Sequence, residues 1–303
     1  MSTHYPRIRV HANDGRLVLR EGLSLTFFMR RSHAEVAQAV WLSVEAYLRS
    51  VGPQALCWYI DDESEWQPLD ARGWSSLRHK VLSQRGGLTN LAHSPDSGAA
   101  YSLEYFGKPL DERTLSLRPR AVCALGFRLP TEFLEEHGHS RVREVALEMA
   151  APLPVCSGYV GLSFHGGLDL LGVSEKIAPF CFRHPGIDVP NLETLGWELG
   201  TRFRGPSWLT FLGQPLLGEL GGAKALRSRL HVSGTTVQEI KGDRAIVTLG
   251  EWPEAGDTEH GDNLPAYREL ARVMEPWLFH NPRGFMPCVR HEDTLRWERR
   301  FLD

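Results

Sequence analysis

The residues from Gly205 to Leu230, GPSWLTFLGQPLLGELGGAKALRSRL, constrain the fold of this chain more than any other stretch. Trp208, Leu209, Phe211 and Leu212 form a short apolar run, which Gly213-Gln214-Pro215 interrupts. Pro215 suits the first turn of a helix, where its missing N–H leaves nothing unsatisfied. Leu216, Leu217 and Leu220 follow at helical spacing, Gly221-Gly222 stops that helix, and Ala223, Leu226 and Leu230 give a second short helical face. So many large apolar side chains in one span must be buried, and elements from elsewhere must cover them. The segment holds no cluster of acids, bases or nucleophiles, so it specifies architecture rather than chemistry.

The rest of the chain can supply that cover. At 303 residues, with 42% hydrophobic and 23% charged residues, it has the composition of a soluble globular protein and the length for a sizeable core. Arg7–His11 and Arg16–Arg20 flank the turn Ala12-Asn13-Asp14-Gly15, which predicts a β-hairpin. A further strand is expected over Leu23–Met29. Ser32 and Glu35 form a capping box ahead of Val36, Val40, Val44, Tyr47, Leu48 and Val51, which share one helical face ending at Gly52-Pro53. Leu56–Ile60 predicts a short strand, and Asp70 can cap a helix carrying Trp74, Leu77 and Val81. From Leu88 to Gly98 the pattern is that of a loop, and Ala100–Phe106 alternates like a strand.

Val122–Leu129 predicts the next strand. Thr131 can cap a helical stretch that breaks near Gly138 and resumes through Val142, Val145, Ala146 and Met149. Tyr159–Phe164 is expected as a strand and Leu168–Pro179 as a short helix. Thr235–Ile240 and Ala245–Leu249 flank Lys241-Gly242-Asp243-Arg244 as a second hairpin, and Leu264–Trp277 closes the pattern as a helix. The class expected is α+β, a mixed and largely antiparallel sheet or sheets with packed helices. It forms one compact or bilobed unit over residues 1–303, with possible lobes at 1–115 and 116–303.

Few motifs suggest chemistry. His137-Gly138-His139 offers two donors where a metal needs three or four. Cys181 and His184 have zinc-like spacing without a C-x-x-C partner, so no metal site is expected. Gly161-Leu162-Ser163-Phe164-His165 approaches the nucleophile elbow, but His165 stands where that strained turn needs a small residue. Ser163 is therefore read as an ordinary strand residue. Gly218–Lys224 lacks the GK[ST] ending of a phosphate loop. The tryptophans lie among acids and aliphatics rather than lysines, as core or interface residues do. A net charge of −3 argues against nucleic-acid binding by the chain as a whole. Five scattered cysteines (Cys57, Cys123, Cys156, Cys181, Cys288), no secretory signal and no bilayer-length apolar run point to a cytoplasmic protein with reduced thiols.

Two acid-rich runs carry more information. Asp61, Asp62, Glu63 and Glu65 follow a strand and precede Trp66. Glu251, Glu254, Asp257, Glu259 and Asp262 surround Trp252 in a Gly- and Pro-rich loop. Such runs serve as solvated loops, as a hydrolytic pair if brought together, or as a surface matched to a basic partner.

The segments REGLSLTFFMRRSHAEVAQAV, GFRLPTEFLEEHG, SGYVGLSF, RHPGIDVPN, SWLTFLGQPLLGELGG, GEWPEAGD and YRELARVMEP stand in this order along the chain. As a set they resemble bacterial type VI secretion immunity proteins, over roughly Arg20 to Pro276. The best understood members of that family neutralise antibacterial effectors with a VRR-Nuc nuclease domain. The resemblance implies a binder of a cognate effector, an inhibitor of a DNase that occludes its substrate or active site. It implies no catalytic residues, no cofactor, no membrane and no direct nucleic-acid contact. A nuclease's basic face would meet acidic loops, so Asp61, Asp62, Glu63, Glu65, Trp66, Glu251, Trp252, Glu254, Asp257, Glu259 and Asp262 are the expected interface. The alternatives are a hydrolase using carboxylates with His137, His139 or His165, and a structural adaptor of a secretion or defence assembly.

Overall fold

The computed structural model describes residues 4–83, 86–281 and 290–303. Cys288 lies outside them. The elements are, in order, β1 (Arg9–His11), β2 (Leu17–Met29), α1 (His33–Val51), β3 (Trp58–Ile60), β4 (Trp66–Pro68), α2 (Ala71–Ser83), β5 (Gly87–Ala92), β6 (Ser102–Gly107) and α3 (Glu112–Leu117). There follow β7 (Cys123–Pro130), α4 (Thr131–Ala150), β8 (Ser157–Gly166), α5 (Val173–Arg183), α6 (Leu192–Glu198), β9 (Leu209–Leu212), α7 (Leu216–Glu219) and α8 (Gly222–Arg227). The chain closes with β10 (Thr235–Ile240), β11 (Arg244–Leu249), α9 (Pro265–Met274) and α10 (His291–Glu298). The fold is α+β. Among the described residues the strands form one 11-stranded antiparallel sheet in the order β10-β11-β9-β8-β2-β7-β6-β5-β3-β4, with β1 added beside β2.

Strand β2 is its axis, hydrogen-bonded to β7 on one side and β8 on the other. One face of the central strands is aliphatic and aromatic. Leu23, Leu25 and Phe27 stand beside Leu129, Phe127 and Leu125 of β7 and beside Leu162, Val160 and Gly158 of β8. Helices α1 and α4 pack side by side on this face, and Tyr47 of α1 meets Phe127 with ring centroids 4.9 Å apart. The opposite face carries small and polar groups: Ser24, Thr26, Gly126, Arg128, Ser102, Glu104, Gly161 and Ser163. Helix α6 covers its middle, with Leu192 seated over Gly126 where a Cβ would lie 3.0 Å from the leucine.

The Gly205–Leu230 segment is buried as its composition requires. Trp208, Leu209, Phe211, Leu212, Leu216, Leu217, Leu220 and Leu226 are all enclosed. Strand β9 inserts between β8 and β11, and α7 and α8 join α9 in a second core with Val237, Val247, Leu249, Leu270 and Met274. Pro215 is the cap residue of α7 rather than its first turn, and follows a cis peptide bond.

Three further local expectations are corrected. Residues 16–20 and 23–29 are not separate strands, because Glu21-Gly22 continues β2 without a break. Glu21 tolerates burial because its carboxylate accepts from the Ile8 backbone N–H (3.0 Å), Arg9 (3.4 Å) and the Thr131 hydroxyl (3.1 Å). Gly22 makes room for the His165 ring, to which an added Cβ would approach within 2.6 Å. Residues 87–92 are strand, not loop, since β5 is flanked by β3 and β6 and buries Thr89 and Leu91. The helix expected at 168–179 is shifted to Val173–Arg183, starting after Gly172, whose φ of 79° suits glycine.

Candidate partner-binding site

The first acid-rich run is the turn of the β3–β4 hairpin at the outer edge of the sheet. The register pairs Ile60 with Trp66, which leaves residues 61–65 as the connection. Asp61 builds that turn. Its carboxylate accepts from the backbone N–H of Glu63 and Glu65, both at 3.0 Å, and from Gln67 Nε2 at 2.9 Å. The bond from the Glu65 N–H leads the effects that hold Asp61 below its ordinary value. Asp62 is paired with Lys80 of α2. Glu63 and Glu65 are exposed, and Trp66 is half-buried.

The second run is organised differently. Arg183, at the end of α5, grips Asp257 with two bonds of 3.0 and 2.8 Å and reaches Glu259 at 2.6 Å. Asp257 also accepts from His260 at 2.9 Å and from the Glu259 N–H at 3.1 Å, and the arginine bond leads in holding it well below the carboxylate range. Glu251 lies 3.0 Å from His139, and Glu254 3.8 Å from His4. Burial, with Asp262 nearby, pushes Glu254 up. Trp252 is stacked parallel on His4 at 5.2 Å and against His139 at 4.8 Å. Of these acids Asp257 and Glu259 are firmly engaged by Arg183, while Glu251 stays largely exposed. The two runs leave strands seven places apart in the sheet order, roughly 34 Å along the sheet at ~4.8 Å per strand.

The histidines do not converge. His137 is exposed and packs edge-on against Phe133, while His139 faces the second loop. His165 and Ser163 do meet, two residues apart on one face of β8. Ser163 Oγ is 2.8 Å from His165 Nε2 and 2.7 Å from Ser24 Oγ. Sequence reasoning placed Ser163 on a strand but missed this chain of polar groups. Both residues are 0% exposed, so the pair has no access to substrate. Burial, reinforced by Arg128 and Arg20, holds the imidazole well below its ordinary value, so it is neutral. Among the described residues no group of three or more His, Cys, Asp or Glu side chains is placed to hold a metal. Cys57, Cys123, Cys156 and Cys181 are free, and burial raises Cys156 to about 11 and Cys181 to about 12, far from thiolate reactivity at neutral pH.

Beside the first run lies a cleft of about 480 Å³ on the polar face of the sheet. Ile60 and Trp66, which flank the acidic turn, form one wall, and Asn90, Ser102, Glu104 and Arg128 form the floor. The ladder aligns them. Trp66 pairs with Ile60, Asn90 with Glu104, and Ser102 with Arg128. Glu104 accepts from Arg128 at 2.9 Å. Asp96 and Asp169 also line the cleft. Of these floor residues, Ser102 and Glu104 lay within a predicted strand whose alternation puts them on one face. Asn90 fell in a segment that reads as loop.

The sequence model of a family described as type VI immunity for VRR-NUC matches residues 39–301. A search of curated proteins returns no match. Among solved structures, the Pseudomonas aeruginosa T6SS protein PA0821 superposes with a TM-score of 0.79 at 16% identity, covering 97% of this chain and 87% of that one. At that identity the likeness is one of fold.

Proposed function

The chain belongs to the type VI immunity family for VRR-Nuc effectors, and from that premise we propose that it protects by binding a cognate effector nuclease and covering its substrate-binding or active site. The observation that carries this reading is the family match over most of the chain. The geometry is consistent with inhibition by contact alone: the Ser163–His165 pair is sealed from solvent, and His137 and His139 face different neighbours. The protein performs no bond-making or bond-breaking in this reading. It makes no direct contact with nucleic acid, and it meets a basic face of the nuclease. It acts in the cytoplasm, where such a nuclease reaches DNA. No helix of the described residues is long and apolar enough to cross a membrane.

The test is co-expression with the effector encoded beside it, followed by titration of purified effector on plasmid DNA. Survival of the cells and loss of DNA cleavage at stoichiometric inhibitor are the expected results. Cells that die as fast as those lacking the protein, with cleavage unaffected, would refute the assignment for that effector.

A further inference from the structure

We propose that the cleft behind the β3–β4 hairpin is where the effector docks, and that it receives an arginine-bearing basic segment. This rests on the immunity reading above and names the surface and the chemistry of the partner.

Several observations converge on this cleft. Ser102, only 7% exposed, lines it with a hydroxyl that has no hydrogen-bond partner, and the Asn90 side-chain oxygen beside it has none either. A buried polar atom left unpaired costs about 1–3 kcal/mol, so a donor brought to these two would be favoured. Glu104 uses one carboxylate oxygen on Arg128 and keeps the other. The floor thus offers open acceptor positions to an incoming donor. The lining carries three carboxylates, Asp96, Glu104 and Asp169, against the single guanidinium of Arg128. The exposed Glu63 and Glu65 stand on the turn that joins the walls Ile60 and Trp66.

A guanidinium fits these demands better than an ammonium. It presents five donors in a planar fork, enough for Asn90, Ser102 and the open side of Glu104 together. Its flat face also suits the indole of Trp66. Ile60 and Trp66 offer apolar contact beside that polar centre, the arrangement in which a few anchors dominate binding. The surrounding carboxylates would steer a basic partner before contact. The second acid-rich loop has less to offer, since Arg183 already holds Asp257 and Glu259.

Binding of the purified effector would be measured by surface plasmon resonance at low and high salt for wild type, Trp66→Ala, Glu104→Gln and the double variant Glu63→Lys/Glu65→Lys. The double variant alters only exposed side chains, and circular dichroism serves to check that its fold is kept. It is expected to slow association at least tenfold at low salt, with the deficit shrinking at high salt. Trp66→Ala and Glu104→Gln should each speed dissociation about 30-fold, and Asp262→Lys on the other loop should change either rate less than twofold. If wild type binds and the three cleft variants bind equally well, the cleft assignment is overturned while the immunity role stands. If wild type itself does not bind the effector, the functional reading fails instead. Loss of self-association in the double variant, with effector binding intact, would mark this face as a contact between copies and also overturn the proposal.

Discussion

Replacing His165 by Gln should remove a specific pH dependence from the stability of this protein. His165 is fully enclosed, with Nε2 2.8 Å from Ser163 Oγ and 3.3 Å from Ser24 Oγ. Burial first, then the positive charges of Arg128 and Arg20, keep the ring neutral in the folded state. In the unfolded chain it titrates near the ordinary value of about 6.5. Below that pH the unfolded state takes up a proton that the folded state refuses. The stabilisation is therefore complete above about pH 6.5 and is lost as pH falls towards the depressed folded value. The slope is at most about 1.4 kcal/mol per pH unit, or roughly 2 kcal/mol between pH 6.5 and 5. A glutamine amide can bond to Ser163 but takes up no proton in this range. Urea unfolding of both proteins at several values between about pH 7.5 and 5 isolates the effect, because every other titrating group is common to both. Near pH 7.5 the variant should be about 1–2 kcal/mol less stable, from lost packing and weakened hydrogen bonding. By pH 5 the two should be nearly equal. A stability difference that stays constant across the window would refute the claim that a neutral, sealed imidazole underlies it.

Other perturbations probe separate parts of the fold. Ser32→Ala removes the hydroxyl that, with the Ser32 backbone N–H, bonds to the Glu35 carboxylate at 2.7 and 2.8 Å, and should lower stability by about 1 kcal/mol in denaturant titration. Trp297 of α10 is fully buried, with the Arg300 guanidinium 3.7 Å from its ring centre and that of Arg204 at 5.2 Å. Trp297→Ala should cost about 3–5 kcal/mol, read as a lower melting temperature. Arg183→Ala frees the second acid-rich loop, so amide hydrogen exchange at Glu259, His260 and Asp262 should accelerate while the sheet amides stay protected.

The candidate site was only partly legible in the sequence. The run at residues 61–65 and Trp66 stood out by composition, and so did the acids around Trp252. Nothing local distinguished their fates. Asp257 is committed because Arg183, 74 residues away, comes to lie beside it. Glu63 and Glu65 are left to solvent because their hairpin forms the edge of the sheet. Asn90 was hidden for a different reason. The segment Gly-Gly-Leu-Thr-Asn carries weak strand propensity, and it becomes β5 only because β3 and β6 satisfy its backbone on both sides.

What the sequence determined by itself was the set of features whose physics is short-range. The Ser32/Glu35 box starts α1, and Gly52, with its φ of 89°, ends it. The Lys241–Arg244 turn sets the β10–β11 hairpin, and the density of aliphatics from Trp208 to Leu230 forces that segment inside. The tertiary structure alone decided the order of the strands and the partners of buried polar groups. It set β2 between β7 and β8, gave Glu21 its donors, and joined Ser24, Ser163 and His165. The reason is that burying a polar or charged side chain is tolerable only with a partner. In this molecule those partners are mostly separated by tens or hundreds of residues, a distance no local pattern can encode.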